Sequence, residues 1–221
     1  MNTKQKTILL IIAIIILAGI GYYFYPELKE AKDEASNIST SINSIKADSD
    51  DFVIKEISQE TITTGVEAPN LDRKVVFPAG LSQEAKDIIQ KKISTLVEEL
   101  NVDSVQYEKW LDLGLLYKAI EDYSGAREVW EYVSIVWPQN SVSFHNLGDL
   151  YGYYLDDKQK AEENFLMAIE NSPSNSFYYF KLAEFYRDVV KDVEKARRIV
   201  EQGLEENPDS AELQQLLESL K

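Results

Sequence analysis

The chain has 221 residues, no cysteine, a single histidine and a formal net charge of −15, which excludes a disulfide framework, a thiolate metal site and a thiol nucleophile. Lysine and arginine do not gather into a face able to neutralise phosphates, so nucleic acid is not an expected partner. The length suits one domain of ordinary size plus connecting segments, not two large domains.

From Thr7 to Tyr25 the sequence TILLIIAIIILAGIGYYFY carries no charge. At ~1.5 Å per residue it is long enough to cross a hydrocarbon core of roughly 30 Å. Residues 1–25 are therefore predicted to form one transmembrane anchor, with Tyr22, Tyr23, Phe24 and Tyr25 at the far interface. The apolar run exceeds the ~7 to 15 residues of a signal-peptide core and no small-x-small cleavage site follows it, so the anchor is expected to remain uncleaved. Lys4 and Lys6 precede the span, while Lys29 and Lys32 follow it. A short basic N-terminus favours the inside, which places the rest of the chain on the extracytoplasmic side of a cell membrane.

Residues 26–51 read as a stalk or linker. Leu28, Ala31, Ala35, Ile38, Ile42 and Ile45 alternate spacings of three and four, a heptad pattern that would allow a homodimeric coiled coil. The many serine, threonine and asparagine residues between them fit a loose linker equally well. Residues 52–80 form a β-prone arm in which short β-branched stretches are broken by Gly65, Pro69 and Asn70. A hairpin or an extended segment lying on the following helices would both suit them. Ser82 then reads as an N-cap before a strongly amphipathic helix carrying Ile88, Ile89, Ile93, Leu96, Val97 and Leu100.

Internal periodicity carries the fold. Prolines stand at 138, 173 and 208, and the residues before each one correspond. Trp110, Leu113, Gly114, Tyr117, Ala126, Trp130 and Val133 in the first unit match Phe144, Leu147, Gly148, Tyr151, Ala161, Phe165 and Ala168 in the second. Tyr179, Leu182, Ala183, Tyr186, Ala196, Val200 and Gly203 continue the series in the third. Small residues leave room where two helices cross, large rings fill the space beside them, and each proline ends the second helix of a pair. Asn140, Asn175 and either Asp209 or Ser210 are available to cap the next helix. The second and third units hold one extra residue between tyrosine and alanine, which belongs in the turn.

This pattern resembles the tetratricopeptide repeat from about Tyr107 to Pro208. The resemblance implies an all-α solenoid of antiparallel helix pairs over residues 81–221, with repeats at about 107–140, 141–175 and 176–210. Flanking caps complete it, the last a helix over 210–220 carrying Leu213, Leu216, Leu217 and Leu220, to give about eight helices. The resemblance also implies a protein-binding scaffold, in which the first helix of each pair lines a groove for a peptide or partner protein. Counting from the packing positions, that groove receives Glu108, Leu111, Asp112, Leu115 and Lys118 from the first unit. Val142, His145, Asn146, Asp149 and Tyr153 come from the second, and Phe177, Phe180, Lys181, Glu184 and Arg187 from the third. In relatives that grip a carboxylate tail, basic and amide side chains occupy set places. Asn146 and Lys181 match two of them, but Leu111, Leu115 and Phe177 occupy the others, so no such clamp is expected. The mixed apolar, aromatic and acidic lining suits an apolar partner with some basic character. A structural tether within an envelope or secretion assembly is the alternative use.

An enzyme is not expected, and neither is a cofactor or a metal. Nucleophilic catalysis would need a serine beside a histidine base, but His145 lies within a repeat helix without a recognisable nucleophile elbow. Carboxylates on amphipathic helices are usually their solvated face.

Overall fold

The structure is a computed structural model that describes residues 66–221. The expected anchor, stalk and first part of the arm (7–25, 26–51 and 52–65) lie outside the described residues. Among the described residues no helix is long and apolar enough to cross a membrane.

Residues 66–80 run without helix or strand, with turns at Leu71 and Asp72 and at Ala79 and Gly80. Leu71, Val75 and Phe77 pack against the helical core, while Gly80 turns the chain with a φ of 98°. Eight α-helices follow: α1 (Gln83–Val102), α2 (Tyr107–Ala119), α3 (Tyr123–Val136), α4 (Ser141–Tyr153), α5 (Lys158–Asn171), α6 (Ser176–Phe185), α7 (Val193–Glu206) and α8 (Ala211–Ser219). The pairs α2–α3, α4–α5 and α6–α7 are the three predicted repeats. α6 continues into a wider π turn at Tyr186–Val190.

Capping defines most helix starts. Ser82, Asn140, Asn175 and Ser210 each accept a backbone N–H in the first turn of α1, α4, α6 and α8. Asp122, Asp157 and Asp192 do the same for α3, α5 and α7. Such caps satisfy donors that have no partner within the helix. The three aspartates recur every 35 residues and each also closes the turn inside its pair: the N–H groups of Asp122, Asp157 and Asp192 donate to the carbonyls of Tyr117, Tyr151 and Tyr186 at 2.9 Å. The residue before each aspartate, Glu121, Asp156 or Lys191, has positive φ.

Packing follows the repeat. A Cβ on Gly114 would lie 2.2 Å from the Trp130 indole, and one on Gly148 2.7 Å from the Phe165 ring, so only glycine lets these helices cross so closely. Trp110, Trp130, Phe165, Ala126, Ala161, Leu182 and Ala196 are wholly buried. At the C-terminal end Leu213 and Leu216 of α8 are buried, with Leu213 against Gly203 of α7. The solenoid is thus one continuous core built from stacked pairs.

Candidate functional site: the face of the first helices

α2, α4 and α6 lie side by side, as contacts between them show. Lys118 of α2 forms an ion pair with Asp149 of α4, and His145 of α4 meets the Phe177 ring of α6 edge-on at 5.0 Å. The expected groove residues divide into three groups on this face. Leu115, Val142, Phe177 and Phe180 are half-buried, packed on the core with part of their surface left over. Lys118, Asp149, Lys181, Glu184 and Arg187 form the charged group. Leu111, His145 and Asn146 are buried, at 6%, 6% and 5% exposure. Those three therefore have little surface to offer a ligand, in contrast to the open positions that helical counting gives them.

The cause of their burial is packing between neighbouring helices. The Leu111 carbonyl accepts the Trp130 indole N–H at 3.3 Å, which draws this turn of α2 onto α3. His145 is surrounded by Phe165, Phe177 and Tyr178, with centroids 5.0 to 5.9 Å away. Burial removes water from the imidazole and lowers its pKa to about 4. Asp149 opposes the shift, and Lys181 and Lys118 add to it. The ring is neutral at neutral pH, and its Nδ1 has no hydrogen-bond partner; the same holds for Asn146 Nδ2.

The charged group is largely internally matched. Lys181 pairs with Glu184 at 2.7 Å, and Arg187 lies 2.6 Å from Asp188 and 3.8 Å from Glu184. Arg187 holds the Asp188 carboxyl below its usual range. Lys118 also stands over the Tyr154 ring at 4.8 Å. Tyr153 is 41% exposed, yet desolvation by surrounding protein raises its hydroxyl pKa, reinforced by Glu184, Asp149 and Asp188. Asp112 is likewise open to solvent, and its carboxyl is raised by desolvation, with Glu108 adding to the effect and Lys92 opposing it. Glu108 itself is half-buried beside Tyr107.

The turn aspartates and the wider turn at Tyr186–Val190 are features that motif reading passed over. The aspartates had a signal in the sequence, since 122, 157 and 192 share the 35-residue period of the prolines; the wider turn had none.

No protein-family profile matches the sequence, and comparison with curated proteins finds no match. Among solved structures, a crystal structure of MamA is similar with a TM-score of 0.51 at 21% identity, covering 66% of this chain and 84% of that one. Another crystal structure of MamA protein gives 0.50 at 22%, covering 62% and 74%. The first TPR of Spaghetti (RPAP3), bound to an HSP90 peptide SRMEEVD, gives 0.45 at 21%, covering 53% and 92%. With MamA the chain shares its fold, a tetratricopeptide-like solenoid of antiparallel helix pairs.

Proposed function

We propose that the chain is a membrane-anchored interaction scaffold, with no catalytic role, whose first-helix face binds a peptide or an exposed segment of a partner protein. The observation that supports this is the run of half-buried apolar side chains, Leu115, Val142, Phe177 and Phe180, across three adjacent helices. Partly covered aromatic and aliphatic groups gain most when a partner excludes the remaining water. Bordering carboxylates give the face a preference for a partner with some basic character; the uncharged run at 7–25 supports membrane attachment, and Lys4 and Lys6 ahead of it favour the extracytoplasmic side for the solenoid. His145, neutral and enclosed by rings, is unsuited to general base work at a solvent-accessible centre.

The test is a peptide display selection on the purified chain, followed by affinity and melting measurements on the same samples. Selected peptides combine apolar and basic residues, and Phe180→Ala and Phe177→Ala each weaken them by roughly 10-fold or more through faster dissociation. Undiminished affinity in both variants, with the fold intact, would show that binding lies elsewhere.

A further inference from the structure

In the second and third pairs a lysine stands immediately before the crossing alanine of the second helix. Its ammonium lies over the tyrosine near the end of the first helix: Lys160 is 4.9 Å from the Tyr151 ring centroid and Lys195 5.1 Å from that of Tyr186. These tyrosines also donate to carboxylates of the preceding pair, Tyr151 to Glu131 at 2.5 Å and Tyr186 to Glu162 at 2.9 Å. The first pair departs from this arrangement. Gly125 stands where the 35-residue period would put the lysine, and the buried hydroxyl of Tyr117 has no hydrogen-bond partner.

The vacated space holds a cation from another part of the chain. A Cβ on Gly125 would lie 2.7 Å from Asp122 Oδ2 and 2.8 Å from Arg73 Nε, so a side chain there would collide with both members of the Arg73–Asp122 pair. Arg73 donates from Nε and Nη2 to Asp122 at 2.5 and 2.9 Å, and from Nη1 to Glu128 at 2.9 Å. A forked contact of this kind is geometrically selective for arginine over lysine. An open pocket of about 320 Å³ is lined by Ala68, Pro69, Leu71 and Asp72 of the segment together with Leu100, Val102 and Trp110.

We propose that the first repeat carries an arginine slot, formed by Asp122, Glu128, Gly125 and Tyr117, and that residues 66–80 are a strap held there by Arg73. The strap supplies from outside the repeat the cation that the other two repeats supply from their own second helix. Asp122 is well suited to this. Burial opposes its ionisation, but hydrogen bonds from Arg73 and the Gly125 N–H outweigh it and hold the carboxyl below its usual range.

The absence of cysteine makes a single reporter possible. In the full-length chain carrying Val75→Cys, a half-buried strap position, the rate of maleimide labelling reads strap release. Removing a charge-assisted fork by Arg73→Gln accelerates labelling by about 10-fold or more while helical circular dichroism stays unchanged. Gly125→Lys restores the lysine of the other repeats, fills the slot and releases the strap to a similar extent. Adding Arg73→Gln to it produces no further acceleration. Equal labelling of the parent and Arg73→Gln would overturn the proposal, as would fully additive effects of the two substitutions. Should Gly125→Lys fail to fold, Glu128→Gln replaces it, with an intermediate acceleration expected and none overturning the slot.

Discussion

His145 illustrates how one residue can sit on the right helix and yet take a different role. Helical spacing places it correctly on α4, but its burial depends on Phe177 and Tyr178 of the next pair, more than thirty residues further along. No local pattern carries that information, and the same holds for Leu111, whose turn is drawn inward by an indole nineteen residues away. The histidine has a measurable signature. Its folded pKa of about 4 lies below the ordinary 6.5, so between these values the unfolded chain binds more protons than the folded one. Stability is therefore full above about pH 6.5 and declines toward pH 4, by about 3 kcal/mol from this group. His145→Phe, which keeps a ring in the same aromatic setting, flattens the dependence between pH 6.5 and 5, as chemical denaturation across that range would reveal.

At the level of elements, the repeat was legible because sterics at helix crossings restrict identity strongly: small at Gly114 and Gly148, large at Trp130 and Phe165. Turn geometry was less legible. The extra residue in the second and third units is accommodated in two ways, within the turn after α4 and as the π turn Tyr186–Val190 after α6. A π turn is set by main-chain hydrogen bonding and leaves no residue signature. Both solutions, and the shorter first turn, preserve the 2.9 Å bond from aspartate N–H to tyrosine carbonyl. They also place a positive φ just before it, 65° at Lys191, where a side chain bearing Cβ is disfavoured by roughly 1 kcal/mol. Lys191→Gly consequently raises stability by up to about 1 kcal/mol, less the entropy that glycine adds to the unfolded chain. A higher melting temperature for this variant is the expected observation. A lower one would mean that the Lys191 side chain stabilises the turn by more than its backbone strain costs.

Across the whole molecule, stability is distributed along one dimension, because each pair rests mainly on its neighbours. α8 covers the last pair through Leu213 and Leu216, so ending the chain after Pro208 exposes Tyr179 and the α6–α7 surface first. All three tryptophans, 110, 130 and 137, belong to the first pair. In the shortened chain the circular dichroism transition therefore begins at lower temperature than the tryptophan fluorescence transition, whereas in the intact chain the two coincide more closely. Coincident transitions in the shortened chain would show that the core melts as a single block. The strap adds a mechanical property to this arrangement. Tension arriving through residue 66 reaches Leu71 and the Arg73 fork before it reaches α1, so the ion pairs carry the load in sequence ahead of any helix. Were the chain pulled there, Arg73 and its two carboxylates would act as a strain relief, yielding before the stacked helix pairs and the face they present.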